Sequence, residues 1–351
     1  MLSNVDYEKC VGDCAREIFQ RLEIRSGRVL ISGATGLIGQ TLVDCLLWAN
    51  GAGMTNFQVT ALARDRERAG RRLGMYFGHE DFRFVPCDVN QPIPEVGDMD
   101  YVIHAASNTH PMQYSSDPIG TIRTNVAGTE NLLEYARLHY CKRFVFLSSV
   151  EIYGENQGET EKFREREFGY LDCNQLRSGY PESKRLGESL CCAYGAAYGM
   201  DIVTPRLCRV YGPTMGRDDS KALAQFIRKA VDGEDIVLKS EGTQHYSYVH
   251  VMDAVKAILY ILDRGAAGEA YNVSSELSDV RLRELADRLA ALAGTKVVYE
   301  LPEEAEKKGY SHATKALLDN GKLKGLGWKE DYDIDSGLRM TVGILKELAE
   351  G

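Results

Sequence analysis

Tyr180 and Lys184 stand four residues apart, in the run Tyr180-Pro-Glu-Ser-Lys184. On a helix that spacing puts a phenol and an ammonium on one face. A free tyrosine, with a pKa of about 10, is too weakly acidic to serve as a base at neutral pH. A neighbouring ammonium and the positive ring of an oxidised nicotinamide both favour the phenolate. Tyr180 could then take a proton from a carbinol, or return it, while hydride moves between substrate and nicotinamide. Ser149 lies 31 residues upstream, at the end of the apolar run Phe-Val-Phe-Leu-Ser-Ser149, where a hydroxyl could hold the reacting oxygen. Glu151 follows two residues later and could remove a proton made acidic by a new ketone.

These side chains need a scaffold that brings them to a dinucleotide. Short apolar runs at Arg28–Ser32, Gln58–Ala63, Phe82–Cys87, Tyr101–His104 and Arg143–Ser148 predict strands. Helical patterns at Leu37–Ala49 and Asn125–His139 lie between them, so the alternation predicts a parallel, doubly wound α/β sheet. The first strand runs into Gly33-Ala-Thr-Gly36-Leu-Ile-Gly39 and then a helix. Gly33 permits a tight turn, Gly36 lets backbone approach a pyrophosphate, and Gly39 lets helix and strand pack closely. The second strand ends at Ala63, followed by Arg64 and Asp65. An acidic residue there suits the ribose hydroxyls of NAD and an arginine suits a 2′-phosphate, so Arg64 tilts the expectation towards NADP. Asp65 keeps NAD open. Asp88 and Val89 follow the third strand, in place to meet the adenine.

Residues 5 to 24 read as an amphipathic helix, and helices are expected at Lys221–Asp232 and Val251–Asp263. The expected plan is a helical extension over 1–26, a Rossmann-type domain over 27–205, and a smaller mixed α/β substrate domain over 206–351. The boundary is expected to interleave rather than fall at one cut.

The ordered set Gly33–Gly39, His104-Ala-Ala-Ser107, Asn125-Val-Ala-Gly-Thr129, Ser148–Gly154, Tyr180–Lys184 and Arg206–Pro213 resembles the extended short-chain dehydrogenase/reductase family of nucleotide-sugar epimerases and dehydratases. The resemblance spans roughly residues 28 to 290. It implies that Ser149, Tyr180 and Lys184 form a catalytic triad, and that Glu151 matches the glutamate of dehydratases and decarboxylases. It implies a homodimer joined by a helix bundle. It also implies that Thr35, Leu37, Ile38, Ala105, Ala106, Ser107 and Asn125 join the glycines, Arg64, Asp88, Val89, Tyr180 and Lys184 around the cofactor. Substrate is expected on Ser107, Ser149, Arg209 and Tyr246. Three departures bear on the reaction. Val150 stands where some dehydratases carry an aspartate, which leaves a Glu-only elimination. Arg209 replaces an asparagine. Tyr246 replaces an arginine that typically holds the substrate diphosphate, and Arg209 is expected to supply that charge from the opposite wall. The missing arginine counts against a UDP-glucuronate decarboxylase in particular. His245 and His250 read as packed residues.

The function expected is oxidation of a nucleotide-sugar hydroxyl with dehydratase, epimerase or decarboxylase chemistry to follow. The alternatives are an NADPH-consuming reductase of a keto-sugar or other small carbonyl, and a non-catalytic dinucleotide sensor. The 351 residues carry 42 Lys+Arg against 51 Asp+Glu, a net charge of −9 that argues against nucleic-acid binding. No run approaches the roughly 20 apolar residues of a membrane span, and no secretory signal is visible. Nine scattered cysteines without a C-x2-C pair read as reduced thiols, with no metal site. The expected location is the cytoplasm.

Overall fold

The computed structural model describes residues 1–109, 112, 116–158, 160–300 and 314–350. Its main sheet is built from β1 (Ser26–Ser32), β2 (Asn56–Ala63), β3 (Phe82–Pro86), β4 (Tyr101–His104), β5 (Arg143–Phe146), β6 (Ser148–Ser149) and β7 (Ile202–Leu207). The strand Ala270–Val273 joins them at one edge. Every pairing is parallel, in the order Ala270–Val273, β7, β5, β4, β1, β2, β3, with β6 beside β7. Strands covered on both faces need continuous apolar runs. Accordingly Val29, Leu30 and Ile31 of β1 are buried, as are Val102 and Ile103 of β4.

The expected single strand over Arg143–Ser148 is broken at Leu147. There the backbone N–H still donates to the carbonyl of His104, but the carbonyl accepts from the Lys184 ammonium at 2.8 Å. Helices α1 (Val5–Arg21), α2 (Leu37–Gly51), α3 (Arg66–Leu73), α4 (Pro118–Leu138) and α5 (Gly179–Tyr198) follow the chain around the sheet. Helix α4 begins seven residues before the pattern predicts, because Asp117 caps it by accepting from the N–H of Gly120 and Pro118 fits its first position. Helix α1 is capped by Asn4 and buries Tyr7, Val11, Ile18 and Phe19 against its neighbours.

Beyond β7 the chain forms β8 (Arg209–Tyr211), α6 (Ala222–Asp232), β9 (Ile236–Leu238), β10 (His245–His250) and α7 (Val251–Arg264). It then re-enters the large sheet as β11, the strand Ala270–Val273. Next come β12 (Ser275–Arg281), α8 (Leu282–Ala293), β13 (Val297–Tyr299), β14 (Lys315–Ala316) and α9 (Ile334–Glu350). β10 is the centre of the small sheet, parallel to β8 and β14 and antiparallel to β12. Among the described residues no helix is long and apolar enough to cross a membrane.

Candidate active site

A crevice of about 820 Å³ runs between the carboxyl ends of the large-sheet strands and the small sheet. Its floor is the turn from β1 into α2. Gly33 has φ +68°, and a Cβ there would lie 2.7 Å from the backbone of Ala105 and Ala106. A Cβ on Gly39 would lie 2.3 Å from the Gly33 carbonyl oxygen. Gly36 is the N-cap of α2 and no side chain caps that helix, so its first N–H groups face the crevice unclaimed. Arg72 of α3 pins the turn, donating to the carbonyls of Thr35 and Thr214 at 3.1 and 2.6 Å. This cradle fits a dinucleotide pyrophosphate, with Thr35, Leu37 and Ile38 around it and Arg64, Asp88 and Val89 at the far strand tips.

Ala105, Ala106, Ser107, Ser149, Glu151, Tyr180, Lys184, Arg209 and Tyr246 line the same crevice. Asn125 does not. It is fully buried behind the wall, where its amide donates to Ser183 at 2.9 Å and its oxygen accepts from Ser107 at 2.7 Å. Ser183 in turn donates to the carbonyl of Tyr180 at 2.8 Å. Asn125 therefore links Ser107 to the first turn of α5.

Tyr180 is 5% exposed. Burial pushes its phenol up to about 12, against the lowering effect of the neighbouring Ser149 and Ser107 hydroxyls. Lys184 is buried too, and desolvation brings its ammonium down to about 8. The ammonium lies over the Phe146 ring at 4.9 Å as it donates to Leu147. Helical spacing places both on one face as expected, but desolvation outweighs any mutual lowering. His104 is held neutral: burial takes it down to about 3, with Ser32 and Thr129 on its two ring nitrogens.

The Glu151 carboxylate meets Arg177 at 3.0 Å and Arg209 at 3.9 Å. Arg177, in the turn before α5, was not singled out by sequence, although it stands three residues before Tyr180. The Arg209 guanidinium carbon lies over the Tyr246 ring, 3.4 Å from its centroid. The two residues sit on the paired strands β8 and β10, so Arg209 comes from the neighbouring strand and not from the opposite wall. Further along the crevice, α6 begins at Lys221 without a side-chain cap.

Known proteins resemble the chain over most of its length. UDP-glucuronic acid decarboxylase 1 of Xenopus tropicalis is 27% identical over 325 residues, covering 92% of this chain and 73% of the relative. UDP-glucuronic acid decarboxylase 6 of Arabidopsis thaliana is 28% identical over 336 residues, 91% of each. Among solved structures, the dTDP-glucose 4,6-dehydratase DesIV of Streptomyces venezuelae, with NAD bound, is 26% identical over 91% of this chain and 97% of that one, with TM-score 0.77. The UDP-glucuronic acid 4-epimerase of Bacillus cereus, in complex with UDP-glucuronic acid and NAD, shares the fold at 20% identity, 92% and 99% coverage and TM-score 0.78.

NAD in the DesIV structure overturns the NADP preference drawn from Arg64. The physical reason lies at the strand tip. Arg64 is exposed, and Asp65 next to it caps α3 by accepting from the Arg68 N–H at 2.9 Å. That hydrogen bond holds the Asp65 carboxyl below its usual range, so a fixed negative charge offsets the arginine where a 2′-phosphate would sit. A profile of the NAD dependent epimerase/dehydratase family matches residues 29–274, the span from the glycine turn to β11, and the protein is an enzyme of that family.

Proposed function

We propose that the protein binds NAD and a nucleotide sugar, oxidises a sugar hydroxyl to a ketone, and carries out dehydration, epimerisation or decarboxylation from that ketone. When bound, NAD supplies the redox chemistry, accepting a hydride from the sugar carbon while its positive ring favours the Tyr180 phenolate. Ser149 holds the reacting oxygen and Tyr180 takes its proton. Lys184 keeps a positive charge behind the phenol and fixes the start of α5 through Leu147. Glu151, oriented by Arg177, removes the proton next to the ketone. Ser107, Arg209 and Tyr246 face the sugar, and the uncapped start of α6 with Lys221 suits a diphosphate.

The observation carrying this reading is that Ser149, Tyr180 and Lys184 line the same crevice as the glycine cradle. The test is redox stoichiometry. Any bound dinucleotide is released and identified, then a nucleotide-sugar panel is followed at the reduced-nicotinamide band. Product without net absorbance change supports the proposal. Consumption of one reduced cofactor per product overturns it, as does tighter binding of NADP than of NAD.

We also propose a homodimer through α4 and α5, which pack together and leave Ile119, Ile122, Leu186 and Tyr198 exposed on their outer faces. Light scattering that finds a monomer at micromolar concentration would refute it.

A further inference from the structure

We propose that Arg209 selects a sugar bearing a carboxylate, so that the substrate is a nucleotide-linked uronic acid; this rests on the nucleotide-sugar reading above. The Arg209 guanidinium is held over the Tyr246 ring by a cation–π contact. Its Nη1 is buried and has no hydrogen-bond partner among the described residues. A buried guanidinium N–H without an acceptor is costly, and an anionic oxygen from a ligand would remove that cost. Its Nη2 lies 3.9 Å from Glu151, whose other carboxylate oxygen is already taken by Arg177 at 3.0 Å. Two guanidinium groups around one carboxylate leave one positive charge, which a single further carboxylate neutralises.

Position decides which anion this is. Glu151 follows Ser149 by two residues and its N–H donates to the Ser149 hydroxyl at 3.2 Å. Arg209 therefore stands at the sugar end of the crevice, beside the reacting oxygen. A diphosphate is better served by the uncapped N–H groups at the start of α6, where the Lys221 ammonium is already paired with Asp219 at 3.1 Å. The side cavity shared by both arginines holds only about 50 Å³, too little for a sugar, so the ligand reaches Arg209 from the main crevice. The planar fork of an arginine matches a carboxylate, and a lysine would not match it as well.

The experiment is calorimetric titration of the NAD-loaded protein, in a Tyr180→Phe background that prevents turnover, with UDP, UDP-glucose and UDP-glucuronate. With Arg209 present, UDP-glucuronate is expected to bind at least about tenfold more tightly than UDP-glucose. Arg209→Gln should erase that preference and leave UDP binding unchanged, which also shows that the variant is folded. Arg209→Lys should retain a reduced preference. Equal binding of the two sugars before substitution overturns the proposal. So does an equal weakening of all three ligands by Arg209→Gln, which would place the arginine on the diphosphate. Failure of UDP and both sugar nucleotides to bind at all would instead remove the nucleotide-sugar reading on which the proposal stands.

Discussion

Alanine at Gly39 and alanine at Gly36 should fail in different ways. At Gly39 the added methyl would sit 2.3 Å from the Gly33 carbonyl oxygen and 2.8 Å from the Ala34 Cα, both backbone atoms. Ordinary contact begins near 3.4 Å, so about 1 Å of relief is required and no flexible side chain can supply it. Overpacking of this kind costs about 2–3 kcal/mol, a melting-temperature loss of roughly 3–4 °C for a chain of this size. At Gly36 the methyl would meet only the Gly33 oxygen, at 3.2 Å, and otherwise open crevice. The backbone there has φ −81°, which alanine adopts freely. Gly36→Ala should therefore melt within about 2 °C of the parent yet bind NAD at least roughly tenfold more weakly, because the methyl occupies the line of approach of the pyrophosphate. Scanning calorimetry at one fixed rate and NAD titration read the two effects separately. If Gly39→Ala melts like the parent, or Gly36→Ala loses stability and keeps full NAD affinity, the assignment of the turn is wrong.

Tyr180→Phe should lower kcat by roughly 10²–10⁴-fold with NAD affinity within about twofold; a variant retaining a tenth of the parent rate would displace the phenol from its role. Lys184 loses its proton near pH 8, so kcat/KM should fall above that pH. Its folded value lies below the unfolded one of about 10.5, so between those two values the unfolded chain holds more protons and this group makes the fold more stable as pH rises. Activity falling while the melting temperature holds or climbs is the expected pair, and a rate that stays flat to pH 10 would contradict it. Glu151→Gln should permit oxidation and block the chemistry at the new ketone, seen as reduced-nicotinamide absorbance that accumulates in a single turnover. Arg177→Gln should slow that later step by roughly tenfold, since the ion pair at 3.0 Å is largely buried; an unchanged rate would leave Arg177 a purely structural residue.

Much of this architecture could be read from residue order. Continuous apolar runs mark the central strands, and the glycine turn announces the crevice because Gly33 and Gly39 answer local steric demands. Local pattern could not give the contacts made over long separations. Arg177 reaches Glu151 across 26 residues through a turn without periodicity. The break at Leu147 depends on an ammonium 37 residues away. Arg209 was expected opposite Tyr246, but the parallel pairing of β8 with β10 sets the two side by side. A guanidinium nevertheless stands beside position 246, on the adjacent strand. The phenol and ammonium were expected to lower the phenol, yet burial governs both, and burial is a property of the assembled crevice.

The path of the chain after β7 also limits how this enzyme can diversify. It leaves the large sheet for β8, comes back through α7 to pair β11 with β7, and departs again into β12. The specificity lobe is consequently no cassette. A graft cut after β7 would carry off an edge strand of the large sheet, and one cut after β11 would part β12 and β14 from β10, so no single junction moves the small sheet whole.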